Sequence, residues 1–134
     1  MSGLYVKGKT NLGKSNIDLI NDKLIAVLVD TSLYTLDLDN DEVQADIPEA
    51  AIISEKTISG QSWDDAIFDA DDVIYNNLTS DQEVGAVIII KYNEDLNLSY
   101  LIYMNDSAPE FPIQPDGTNF TVNWANTTNK IFKL

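Results

Sequence analysis

The apolar positions of this chain fall into short runs separated by clusters of Asp, Asn, Gly and Pro. The strongest run lies in Val84–Tyr92, where Val87-Ile88-Ile89-Ile90 is β-branched and apolar at every position. Such a run predicts a central strand covered on both faces. Lys23–Asp30 holds a second run of the same kind, Leu24-Ile25-Ala26-Val27-Leu28-Val29. Leu98–Met104 follows a polar loop of hairpin length, Asn93–Asn97. Simple alternation there puts Tyr100, Ile102 and Met104 on one face and Leu101 and Tyr103 on the other. Asn119–Ala125 also alternates, with Phe120, Val122 and Trp124 pointing one way and Thr121, Asn123 and Ala125 the other. That is the pattern of a half-buried antiparallel strand.

Weaker signals fill the gaps. Ala51–Ser59 reads as a strand ending at Gly60, and Asp72–Thr79 as another anchored on Val73, Tyr75 and Leu78. Ser62–Asp71 reads as a short strand or an irregular edge, and residues 31–50 as loop. Pro115-Asp116-Gly117 has turn chemistry, because Pro presets φ and Gly supplies a permissive position. Residues 3–15 predict a short helix with Leu4, Tyr5 and Leu12 on one side, or else an ordered arm, since Gly8 and Gly13 weaken a helix. The apolar end Lys130–Leu134 predicts a tied-down terminus. Six or seven short strands with turns between them predict a mostly β chain. The expected architecture is an antiparallel β-sandwich, or a barrel-like fold, with a short N-terminal helix or arm. The expected division is a basic N-terminal segment over residues 1–16 and a single β-sandwich domain over 17–134.

Charge sharpens this picture. The chain of 134 residues has a formal net charge of −14, with 22 acids against eight lysines and neither Arg nor His. An acidic chain without Arg is repelled by nucleic acid and anionic lipid, so neither is an expected partner. Lys7, Lys9 and Lys14 stand in a segment without acids, and all 22 acids follow it. Those three lysines are candidate contacts to an acidic neighbour, and they also serve simply as solubilising charge. The longest apolar runs are too short to span a bilayer, and the first twenty residues lack the apolar core of a signal peptide. The Asn-x-Ser/Thr sequons at Asn77, Asn97, Asn105, Asn119 and Asn126 are therefore not expected to carry sugar.

The absence of His and Cys excludes the common zinc sites and the His-based nucleophile arrangements. No phosphate-binding glycine loop is present, so no cofactor is expected. Two carboxylate clusters remain. Asp64, Asp65, Asp69, Asp71 and Asp72 surround Trp63 and Phe68, a composition compatible with sugar chemistry or with a solvated acidic loop. Asp37-x-Asp39-x-Asp41 could supply oxygen ligands to Ca²⁺, but Glu42 and Pro48 stand where an EF-hand needs its Gly and Glu.

Five stretches occur in a definite order: Ala26-Val27-Leu28-Val29-Asp30-Thr31-Ser32-x-Tyr34-Thr35, Asp46-Ile47-Pro48, Asp69-Ala70-Asp71-Asp72-Val73, Pro112-Ile113-x-Pro115-Asp116-Gly117 and Asn129-Lys130-Ile131-Phe132-Lys133-Leu134. Taken together they resemble a family of small virion-associated structural proteins of tailed phages and prophages. The resemblance runs from about Leu4 to Leu134 and implies a structural role without enzymatic activity. Its expected setting is the virion, in contact with the major capsid protein or other virion proteins, as a homo-oligomer or symmetric array. Capsid decoration is the first expectation and a neck, tail or fibre position the second. Gln61-Ser62-Trp63-Asp64-Asp65 departs from the family pattern, which makes Trp63 a candidate partner contact. A carbohydrate-binding module and a small carboxylate hydrolase are the competing classes. Removal of residues 1–15 is expected to weaken attachment while sparing the fold.

Overall fold

The computed structural model describes residues 2–124 and 130–134. Ala125, the last residue of the expected strand, the sequon at Asn126 and the motif residue Asn129 lie outside the described residues.

The elements run β1 (Ser2–Leu4), α1 (Val6–Gly13), β2 (Leu24–Val29), β3 (Ile52–Thr57), β4 (Ser62–Asp64), β5 (Ile67–Asp69), β6 (Val73–Tyr75), β7 (Ala86–Lys91), β8 (Leu101–Asn105), β9 (Phe120–Val122) and β10 (Phe132–Lys133). Five strands form one antiparallel sheet in the order β1-β8-β7-β2-β3. The two apolar runs, β2 and β7, lie side by side at its middle and are buried throughout except at Lys91. Burial on both faces is what their unbroken hydrophobicity requires.

Each face of this sheet has its own core. On one face Leu24, Ala26, Leu28, Val87 and Ile89 pack under a second layer. That layer is a three-stranded sheet, β10-β5-β4, and a two-stranded one, β6-β9. Phe120, Val122 and Trp124 all point inward, as their alternation predicts, and Val73, Tyr75 and Leu78 join them. Tyr75 fastens the layers together by donating from its hydroxyl to the Ala26 carbonyl at 2.6 Å. Among the described residues the sheets do not close on themselves, so the arrangement is sandwich-like rather than a barrel.

The opposite face shows what the pattern of residues 31–50 conceals. That stretch is irregular, with 3-10 turns at Gln44–Asp46 and Glu49–Ala51. Yet Tyr34, Ile47 and Ala51 are buried against Ile25, Val27, Ile88 and Ile90. The segment is a covering layer whose apolar residues are too widely spaced to show a period. Its acids serve the backbone: Asp46 accepts from the Glu42 and Val43 amides at 2.8 and 3.0 Å.

Strand β8 departs from simple alternation. Tyr103 pairs with Ile89 but Leu101 pairs with Ile90, so Ile102 is an extra residue in a β-bulge. Tyr103 therefore joins Ile102 in one core while Leu101 and Met104 share the other. Leu98 is exposed in a 3-10 turn, Leu96–Leu98, ahead of the strand.

The bulge is also where the N-terminal segment docks. The Tyr5 amide donates to the Ile102 carbonyl at 2.9 Å, and the Val6 amide to the Leu38 carbonyl at 2.8 Å. Tyr5 is fully buried. Its hydroxyl lies 3.1 Å from that of Tyr34, which in turn donates to Asp41 at 2.6 Å, leaving Tyr5 as donor to Tyr34. Asn11, also buried, donates to Glu42 at 3.1 Å. Removing residues 1–15 would thus open the core and strip strand β8, which corrects the expectation that the fold would survive the deletion.

Burial raises the Asp41 carboxyl above its ordinary range, and the Tyr34 hydroxyl is the one group that pulls it back. Tyr34→Phe removes that donor and leaves the Tyr5 hydroxyl unanswered. The expected loss is about 1–3 kcal/mol at neutral pH, read from urea unfolding.

Candidate functional site

The candidate site grows from the end of α1. The helix stops where Ser15 takes a positive φ of 64°, and the chain turns back along residues 16–22. Asp18 builds this turn, accepting from the Ile20 and Asn21 amides at 3.0 and 3.1 Å and from the Asn21 side chain at 2.9 Å. Ile17 and Leu19 point into the core, so Ile20 must point out, and it is 43 % exposed.

Two distant parts of the chain complete the wall. Strands β4 and β5 form a hairpin whose two turn residues, Asp65 and Ala66, both have positive φ, as a tight two-residue hairpin turn requires. Trp63 pairs with Phe68 across it, and Phe132 of β10 pairs with Phe68 on the other side. The three rings make one row. Phe68 and Phe132 stack with centroids 5.1 Å apart, Trp63 lies 6.4 Å from Phe132, and Tyr103 lies 5.4 Å from it beneath. Gln61 donates to the Asp22 carbonyl at 3.3 Å and so holds the hairpin beside the 16–22 turn. The Leu134 amide donates to the Ala66 carbonyl at 2.9 Å, placing Leu134 next to Trp63.

The result is an open groove of about 570 Å³, lined chiefly by Lys9, Leu12, Leu19, Ile20, Trp63 and Leu134. Its walls are mostly apolar, and Lys9 and Asp18 bring one charge of each sign. Lys7, Lys9 and Lys14 form no ion pair among the described residues, whereas Lys91 pairs with Asp22 at 3.6 Å and Lys130 with Asp69 at 3.9 Å. Of the four sequence-derived candidates, the structure brings Lys9 and Trp63 to one groove. Lys7 and Lys14 lie outside its lining. Leu12, Ile20 and Leu134 were not singled out. The usable signal was Ile17-Asp18-Leu19-Ile20, an apolar group set between the polar residues Asn16 and Asn21-Asp22.

Several of the clustered carboxylates hold structural partners. Asp72 accepts from the Trp124 amide at 2.9 Å, Asp69 faces Lys130, and Asp71 accepts from Ser59 at 3.5 Å. Asp64 projects to the face of β4 opposite Trp63. Asp37 caps its own turn, accepting from the Asp39 and Asn40 amides, both at 3.1 Å, and from the Asn40 side chain. Among the described residues no group of three or more acidic side chains is placed to hold a metal ion. No helix among them is long and apolar enough to cross a membrane.

Four turn-capping carboxyls share one electrostatic signature. Asp18, Asp30, Asp37 and Asp116 are all held below the ordinary carboxylate range, chiefly by side-chain donors from Asn21, Ser32, Asn40 and Thr118 respectively. A lowered native pKa means that the unfolded chain binds protons first, so the stabilisation is complete above the unfolded value and is lost as pH falls through the native values. Asp41 has the opposite sign, and its contribution improves as pH falls. With four groups against one, the urea midpoint is expected to fall as the pH drops below about 4. Asp30→Asn should flatten that fall.

A scan against protein-family models finds no match to the chain, and a search of curated proteins finds none either.

Proposed function

We propose that this protein is a structural component of a phage particle, a capsid decoration protein that binds the particle surface in many symmetric copies. The ordered motifs from Ala26 to Leu134 support the reading. One structural observation carries it: a mostly apolar groove, walled by Trp63 and including Lys9, which forms no ion pair among the described residues, on a molecule of net charge −14. An apolar trough with a charged edge has the anatomy of a protein contact. The setting of Trp63 favours protein over sugar, because it shares the groove with the apolar side chains of Leu12, Ile20 and Leu134. The acidic exterior keeps crowded copies apart except where lysines intervene.

The test is to purify particles of the phage or prophage whose genome carries the chain and to count its copies by quantitative mass spectrometry. A copy number commensurate with the major capsid protein is the expected result. A handful of copies per particle would move the protein to the neck, tail or fibre. Its absence from purified particles would reject a virion role.

A further inference from the structure

We infer that the groove receives the Leu96-Asn97-Leu98 knuckle of a second copy of this chain. The inference rests on the reading of the groove as a protein-docking site and names its occupant. Leu96 and Leu98 are 47 % and 46 % exposed, side by side in a 3-10 turn. Nothing about the turn is loose. Asp95 accepts from the Asn97 amide at 2.9 Å, and buried Ser99 donates to the Asn93 carbonyl at 2.8 Å while accepting from the Asn93 amide at 3.0 Å. Two exposed leucines are thus presented in a preformed shape, which lowers the ordering cost of docking.

The flanks of the knuckle are acidic, with Glu94 and Asp95 immediately before it. The groove offers apolar walls at Leu12, Ile20, Trp63 and Leu134, with Lys9, which forms no ion pair among the described residues, and Asp18, whose carboxylate is taken up by the Ile20 and Asn21 amides, in its lining. Charge also selects this contact over others. Two copies with −14 each repel over most of their surfaces, and helix α1 carries Lys7 and Lys9 and no acid. An approach that sets α1 against an acidic apolar knuckle turns that repulsion into attraction.

The two surfaces belong to opposite faces of the central sheet. Leu12, Leu19 and Trp63 belong to the core under the second layer, whereas Leu96 lines a cavity together with Ile47 and Ile52, which belong to the core of the other side. The contact is therefore heterologous, and repeated contacts close into a ring or run on as a filament.

Sedimentation velocity on the full chain, up to about 1 mM and at low salt, tests this. Species larger than a dimer are expected. The knuckle variant Leu96→Ser with Leu98→Ser and the groove variant Lys9→Glu with Ile20→Ser change only exposed side chains, and each should weaken association by at least about tenfold. Mixed in equal amounts they retain one good knuckle and one good groove, so they should form a heterodimer and nothing larger. Carbodiimide should then link Lys9 of one copy to Glu94 of the other. A wild-type chain that stays monomeric throughout, or variants that assemble as well as the wild type, would overturn the inference. A monomer that is nevertheless abundant on particles would overturn it while leaving the virion role standing, with another virion protein as the occupant.

Discussion

Phe132→Ala is expected to cost about 3–5 kcal/mol, the range for a large aromatic truncated inside a core. The residue is almost fully buried, stacks on Phe68 and Tyr103 and supports Trp63. It also belongs to a two-residue strand near the end of the chain, so its ring rather than its backbone holds that strand in place. Removing it should release Leu134 and Trp63 together and so dismantle the groove. Urea unfolding followed by circular dichroism reads the stability, and the self-association of the same variant reads the groove. Ile74→Ala, on the exposed face of β6, is the control and should stay within about 0.5 kcal/mol of the wild type. A Phe132→Ala chain as stable as that control would show that β10 contributes little to the fold.

Gly8→Ala is the second large effect, and here the sign is informative. Helix propensity alone predicts that Ala would improve on Gly by about 0.8–1 kcal/mol. The structure predicts the reverse. A β-carbon at position 8 would lie 2.5 Å from the Leu101 carbonyl oxygen and 3.2 Å from the Ile102 α-carbon, both main-chain atoms that cannot swing aside. Helix α1 must lift off β8, and the expected loss is about 1–3 kcal/mol. Gly13 sits in the same helix with nothing within 4 Å of its would-be β-carbon, so Gly13→Ala should be neutral or stabilising. Opposite signs for the two glycines would establish that the helix is pressed onto the bulge. Equal signs would mean that it is not.

That bulge also marks where the sequence stops being readable. The centre of the sheet is legible because a strand covered on both faces needs apolar residues at both parities, and β2 and β7 have them. Strand β9 is legible because Phe120, Val122 and Trp124 keep strict alternation. Strand β8 is misread past Ile102, since one inserted residue exchanges the faces of everything before it and no residue type announces the insertion. The covering segment around Tyr34 and Ile47 escapes for a different reason: irregular backbone buries residues without any period. The groove is illegible as a whole. Lys9, Ile20, Trp63 and Leu134 meet only after three separate elements have docked. Composition could mark Lys9 and Trp63 as unusual, but it could not join them.

The sheet order has a consequence for how the chain is made. Strand β1, Ser2–Leu4, is made well before its partner Tyr103–Asn105, which lies far along the chain. Strand β2 meets β3 early, but its other neighbour is β7, across more than fifty residues. During synthesis the most apolar hairpin-like stretch is therefore left half-paired, with one long edge waiting. Translation that stalls before β8 emerges would leave a truncated product with an open hydrophobic edge, the kind of species that holding chaperones retain and proteases clear.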